Sequence, residues 1–385
     1  MTVENSATTD VGTTSRRFVR NVLWKALLLF VLLNLFFMSV DIVPWLGKVS
    51  AYNSIFPGRV RLPFGEVPER AFNLSPFSLE AMFASHELAA GSKAEDEYRV
   101  LVIGDSSVWG FLLRPEDTLT GRINSGGYET RDGRRVRAYN LGYPTTCLLK
   151  DVMLLDEAMR YDPDMVVWLV TLEAMPVGKQ FASALLQHNP DRARDLIERY
   201  DLDLDPQDDR LVDLEWWQRT IWGQRRDVAD LVRLQMYGVV WAATGVDQDY
   251  PEDYALRKSD LEDDESFIQF MPPQDMDEIL AMDVLEAGLS VADGLPVMFV
   301  NQPIFVSDGE NSDVRYNFNY PRWAYDDYLV WFEKQCTEQA WACVDVWDFV
   351  EPAEFTNTAF HMTPKGTALL ASYLGDAILE LAGSP

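Results

Sequence analysis

Residues 99–107, Arg99-Val100-Leu101-Val102-Ile103-Gly104-Asp105-Ser106-Ser107, decide how this chain is read. A short apolar run ended by glycine has the signature of a strand buried on both faces, and the small polar residues after it signal a turn into a helix. A serine placed there has its hydroxyl exposed at the strand's end, near free backbone N–H groups at a helix start. Working outward, the pattern recurs. Val136–Leu141, Met165–Leu172 (MVVWLVTL), Leu295–Val300 (LPVMFV) and Ala342–Val346 (ACVDV) are further strand candidates. Leu148–Arg160 and Trp323–Gln339 have helical spacing between them. Pro364 opens a last helix with Thr363 as N-cap, and Leu370, Tyr373, Leu374, Ala377, Ile378 and Leu381 lie on its apolar face.

Short apolar strands separated by helices imply a parallel sheet covered on both faces, because parallel strands need crossovers that carry helices. The expected class is therefore α/β, and ligands should bind beyond the carboxyl ends of the strands. Residues 178–294 are too many for one crossover and read as a helical insertion, a cap over the sheet. Leu214–Ala243 and Asp275–Ala292 are its expected helices. Trp216, Trp217, Trp222 and Trp241 read most simply as core, with a carbohydrate platform or a membrane-protein contact as the sharper alternative. The acidic stretches Asp201–Asp213 and Asp247–Glu265 read as solvated loops, since neither holds a calcium-loop pattern.

The chain has 385 residues, 48% hydrophobic and 24% charged, which is globular composition and excludes a disordered or fibrous chain. Its 33 Lys+Arg against 61 Asp+Glu give a net charge of −28, and a surface this acidic repels a phosphate backbone; no nucleic-acid partner is expected. Three cysteines and three histidines (His86, His188, His361), with no C-x-x-C spacing, point to no metal site and no cofactor. Cys336 and Cys343 could pair in an oxidising compartment or stay as buried thiols.

Val22–Val40 (VLWKALLLFVLLNLFFMSV) is nineteen residues of nearly unbroken apolar sequence. At 1.5 Å per residue it spans about 28 Å, close to the ~30 Å hydrocarbon core of a bilayer. Arg16, Arg17, Arg20 and Lys25 precede or open it and Asp41 closes it, so the positive-inside rule keeps residues 1–21 in the cytoplasm and exports the chain beyond the apolar run. A cleaved signal peptide is the competing reading, disfavoured because the apolar run is too long and no A-x-A site comes after it. The expected organisation is a cytoplasmic tail (1–21), a transmembrane anchor (22–44), a proline-marked stalk with a short helix near Leu79–Leu88 (45–97), and an α/β domain (98–385) outside the cytoplasm at the cell membrane. Beyond residue 45 the charge is −29, so the anchor, not charge, must hold the domain at the membrane.

A serine becomes a nucleophile when a base lies within hydrogen-bond reach, and His361, in Phe360-His361-Met362-Thr363-Pro364-Lys365-Gly366 before the last helix, has the right context. His86 and His188 read as packing or surface residues. Gly104-Asp105-Ser106, Gly142 in Tyr139-Asn140-Leu141-Gly142, and His361 with Thr363-Pro364-Lys365-Gly366 after it resemble the blocks of the SGNH/GDSL hydrolases over about Arg99–Leu381. The resemblance implies a flavodoxin-like sheet, Ser106 as nucleophile, His361 as general base, and the N–H groups of Ser106 and Gly142 as oxyanion donors. It also exposes two departures. Glu173 stands where the family has an oxyanion asparagine, and Thr358 where it has the aspartate that orients the histidine.

Candidates to orient His361 are Thr358, Asn357, a backbone carbonyl or a carboxylate such as Asp348; Asn140 or Asn301 could supply the missing donor. Asp105, Glu173 and Asn301 are candidate substrate contacts. Losing one oxyanion donor costs ~10²–10³ in rate and losing the orienting carboxylate ~10⁴. The architecture is similar to membrane-anchored SGNH proteins of envelope acylation, such as those of D-alanyl-lipoteichoic acid transfer and alginate O-acetylation. That likeness implies an acyl transferase or acylesterase acting on an envelope polysaccharide or polymer, beside a membrane-bound O-acyltransferase. The alternative is a catalytically silent domain that binds glycan or scaffolds that partner.

Overall fold

The β-branched and apolar runs do form strands, because a strand covered on both faces is filled chiefly by apolar side chains. In the computed structural model, which describes residues 10–40, 42–51, 53–56, 58–65, 76–244 and 254–383, the strands are β1 (Glu97–Gly104), β2 (Arg135–Gly142), β3 (Met165–Val170), β4 (Val297–Asn301) and β5 (Ala342–Asp345). Their order is β2-β1-β3-β4-β5 and every pair is parallel. This is the flavodoxin-like arrangement, with its switch point between β1 and β3. The register sets Gly104 beside Gly142 and Val170 beside Asn301, so the strand ends converge on one rim. Residues 1–9 of the tail, Pro57, Pro68 and residues 247–253 of the acidic stretch lie outside the described residues.

In chain order the helices are α1 (Asp10–Ser39), α2 (Ile42–Gly47), α3 (Leu79–Ser85), α4 (Ser106–Trp109), α5 (Leu119–Ser125), α6 (Leu148–Ala158), α7 (Ala184–Gln187), α8 (Pro190–Tyr200), α9 (Arg225–Thr244), α10 (Met276–Ile279), α11 (Met282–Val291), α12 (Arg322–Glu338) and α13 (Pro364–Ala382). Residues 15–39 of α1 are long and apolar enough to cross a membrane and are almost wholly exposed. Thr363 caps α13 by accepting from Gly366 N–H, as the sequence suggests. Cys336 on α12 and Cys343 on β5 are joined by a disulfide, while Cys147 is buried and free.

Three expectations need revision. The segment read as a stalk does carry its helix, α3, but Leu79, Met82, Phe83 and Leu88 are buried in the main core, so it belongs to the body of the domain. Prolines suggested an extended tether; the apolar side chains between them find the sheet's flank. The run 214–243 is helical only from Arg225, and Asp275–Ala292 breaks at Leu280 into α10 and α11. Of the four insertion tryptophans, Trp241 is buried and the other three are exposed.

The end of β2 lies against the helix that carries Ser106. A Cβ on Gly142 would sit 2.3 Å from Trp109 N and 2.7 Å from Val108 Cβ, so only glycine lets the two backbones approach. Gly142→Ala is expected to cost about 1–3 kcal/mol through this overlap, read as a lower Tm, and to reduce any reactivity of Ser106 by shifting α4.

Candidate active site at the strand ends

Ser106 is the first residue of α4, so its N–H has no helical carbonyl to bond. Asp105 caps the helix: its Oδ1 accepts from Ser107 N–H at 2.7 Å, and its Oδ2 accepts from Gln302 Nε2 at 3.0 Å. Ser107 Oγ closes the circuit by donating to Gln302 Oε1 at 2.6 Å. Gln302 comes directly after β4 and donates its own N–H to Val170 O at the end of β3. A fully buried network thus fixes the nucleophile turn to β3 and β4.

His361 comes to the same rim on a loop closed at its neck. Phe355 bridges Met362, and Thr356 N–H donates to His361 O at 2.7 Å. Thr358 Oγ1 accepts from the backbone N–H groups of Phe360 and His361 at 3.2 and 3.1 Å, which tightens the turn. From inside it, Asn357 Oδ1 accepts from His361 Nδ1 at 2.8 Å. The proton is then on Nδ1, and Nε2 is left as the acceptor for Ser106 Oγ, 2.7 Å away. Phe111 stacks on the imidazole, centroids 4.6 Å apart and planes 18° from parallel, and fixes its plane. Burial lowers the His361 pKa to about 4, against a partial rise from the Asp105 charge. The ring is therefore neutral at pH 7, the form a general base requires.

The expected orienting residue, Thr358, shapes the backbone, and Asn357 holds the ring. Asp348 is exposed and makes no contact with His361 among the described residues. Asn140 is not an oxyanion donor: its Nδ2 is spent on Val108 O at 2.7 Å, and its Oδ1 accepts the Gly142 N–H at 3.1 Å. The Gly142 N–H is thereby occupied too, leaving Ser106 N–H as the donor that survives of the expected pair. Asn301 is wholly enclosed, donating to Asp345 Oδ1 and accepting from Tyr325 and Tyr328, so it cannot meet a substrate. Asp105, with both oxygens engaged and 5% exposed, is equally structural.

Glu173 is ion-paired with Lys179, which answers the carboxylate that would otherwise oppose an oxyanion. His86 is a buried packing residue, its Nδ1 accepting from Leu88 N–H and its Nε2 donating to Asn140 O. Among the described residues no cluster suits a metal ion.

Sequence reasoning passed over Lys150, Gln302 and Phe111. Lys150 Nζ, fully buried, donates to Gly104 O at 2.9 Å and Tyr143 O at 2.8 Å and lies 2.6 Å from Asp151 Oδ1. Burial pushes the Asp151 carboxyl up to about 6. A charged residue inside an otherwise apolar helix, in LLKDVMLL, is the signal that could have found this pair. The loop after β2 also holds Thr145 at φ +102°, which a β-branched residue adopts only under constraint.

Ser106, its base and the ring's orienting amide form one hydrogen-bonded line. The serine–histidine pairing that the sequence resemblance implies is present in the structure. No family model matches the chain, and no curated protein matches it. Among solved structures it is similar to a carbohydrate acetylesterase family member from Sinorhizobium meliloti (10% identity, 74% of this chain and 99% of that one, TM-score 0.32). It is likewise similar to an aryl esterase from M. smegmatis (12%, 74% and 99%, 0.32) and to the acetylxylan esterase Axe2 from Geobacillus stearothermophilus (13%, 77% and 96%, 0.30).

Because His361 must be neutral to accept a proton, kcat/KM for ester cleavage is expected to fall on the acid side near pH 4. Asn357→Asp puts a carboxylate against Nδ1, which raises a histidine pKa by about 1–3 units. The acid limb should move up toward about 6, and kcat should rise about 10²-fold as the imidazolium gains a counter-charge. A pH–rate profile of the two proteins checks both. For folding the sign is the same: the unfolded chain binds a proton at the ordinary histidine pKa of 6.5 while the folded one does not until about 4, so the His361 contribution grows between those values and is complete above 6.5.

Proposed function

We propose that this chain is a membrane-anchored serine acyl transferase or acylesterase, working outside the cytoplasm on a cell-envelope polysaccharide or polymer. The observation that carries the reading is the 2.7 Å hydrogen bond between Ser106 Oγ and His361 Nε2 at the ligand edge of a parallel sheet. In this reading His361 Nε2 takes the Ser106 proton as Oγ attacks an ester carbonyl. The Ser106 N–H donates to the oxyanion, and the imidazolium returns the proton to the leaving alkoxide. The acyl group then rests on Ser106 until a hydroxyl, from water in an esterase or from the polymer in a transferase, gives its proton to the same nitrogen and attacks the acyl carbon, expelling Ser106 Oγ, which regains the proton from the imidazolium. The apolar helix α1 supports an anchor, and the basic residues before it support an N-terminus in the cytoplasm. A membrane-bound O-acyltransferase is the partner this architecture suits, since it could deliver acyl groups across the bilayer to an acceptor held by the exported domain.

The second reading, a silent domain that binds glycan or scaffolds such a partner, is favoured by one observation. The usual charged orienting residue is replaced by the neutral Asn357, and the Gly142 N–H is already bonded.

A fluorophosphonate probe is expected to label the full chain and to leave Ser106→Ala unlabelled, with ester hydrolysis falling by at least about 10⁴-fold in the variant. In cells lacking the protein, Ser106→Ala should fail to restore the envelope acyl content that the natural chain restores. An unlabelled natural chain together with full restoration by Ser106→Ala would establish the silent reading instead.

A further inference from the structure

The second half of α9, Leu234–Thr244 (LQMYGVVWAAT), carries no charged side chain, yet α9 is only partly buried. Leu231, Leu234 and Trp241 turn inward, packing with Ala81, Val43, Leu46 and Tyr237. The opposite face presents Val232, Met236, Val239 and Val240, between 43% and 64% exposed. A helix apolar on all sides belongs in a core or in lipid, and no protein segment covers this face among the described residues.

The neighbour of this face is set by the chain. The inward face of α9 packs on α2, whose first residue, Ile42, is three positions past Ser39, the last of α1. Three residues reach at most about 11 Å. Two ties add to the packing: Ala51 N–H donates to Gln235 Oε1 at 2.6 Å, and the Arg59 guanidinium stacks on Trp241 at 4.3 Å. If α1 crosses a bilayer, α9 cannot move far from the point where it emerges.

Composition agrees. Trp45 on α2 and Trp216, Trp217 and Trp222 in the turns before α9 are all more than half exposed, and tryptophan favours the boundary between headgroups and acyl chains. Residues 42–51 and 215–244 hold five basic and three acidic side chains in a chain whose net charge is −28, so this one region is not repelled by anionic headgroups.

We propose that the outer face of α9, with Trp45 of α2, lies in the interfacial layer of the same bilayer that α1 spans, docking the domain flat on the membrane. The docking rests on the reading of α1 as an anchor. It makes α9 an interfacial helix whose apolar stripe is buried about 5–10 Å into the headgroup boundary.

The test uses the full chain in phosphatidylcholine–phosphatidylglycerol nanodiscs, with a spin label at Met236→Cys or, separately, at Val240→Cys. Val330→Cys on α12, a position 69% exposed and outside the patch, serves as reference. The native cysteines do not compete, being buried or disulfide-bonded. Both α9 labels should collide severalfold more with lipid-soluble oxygen, and severalfold less with an aqueous nickel chelate, than the Val330 label. Equal access of the nickel chelate to all three would overturn the inference. So would α9 labels hidden from both reagents, which would mean a protein covers the face. Alkaline carbonate extraction of membranes carrying the same chain separates the two layers of argument: a chain that stays with the membrane but shows water-exposed α9 labels refutes the docking alone, and a released chain refutes the anchor on which it rests.

Discussion

Lys150 Nζ donates to the carbonyl oxygens of Gly104 and Tyr143, one at the end of β1 and the other just past β2, with Asp151 as its counter-charge. Those carbonyls belong to the chain reversals that follow β1 and β2. Gly104 O also accepts the Tyr143 N–H at 3.0 Å, while a buried acceptor left without any donor costs about 1–3 kcal/mol. The ammonium meets both at once, and removing one member of a buried ion pair costs about 3–5 kcal/mol because the other is left uncompensated. Everything above the sheet, from the Asp105 cap to the Gln302 circuit, assumes that these two reversals stay in register.

On that base the chain assembles a serine, a neutral imidazole and a neutral amide. An amide oxygen fixes the same tautomer as a carboxylate, since it too accepts from Nδ1. It differs in charge. When Nε2 takes a proton, no anion stands behind the ring, and Asp105, already committed to Ser107 and Gln302, is the carboxylate whose charge His361 feels. The arrangement orients the base well and stabilises its protonated form weakly.

The sheet was readable because its central strands β1, β3 and β4 are fully enclosed, and full enclosure favours runs such as RVLVI and MVVWLV. Ser106 and His361 could be paired across 255 positions because each obeys a local rule, a serine after a strand and a histidine before a capped helix. Contacts decided by the direction of a side chain lay beyond reading. Asn357 and Thr358 are adjacent, and which of them faces the imidazole depends on a turn only two residues across. Asn140 could equally have pointed at the rim; it points into α4 because Val108 O and Gly142 N–H need partners there. The proline-marked segment before β1 misled for a related reason: prolines report local stiffness, while burial of Leu79, Met82 and Phe83 depends on a surface distant in sequence.

The tail of the insertion reaches back across the molecule. Arg257 donates its side chain to the carbonyls of Phe355 and Pro352, its backbone N–H to Thr356 O, and lays its guanidinium over Phe305. These are the residues at the root of the loop that carries the imidazole. Through this one side chain the insertion is tied to the segment that holds the imidazole at the rim.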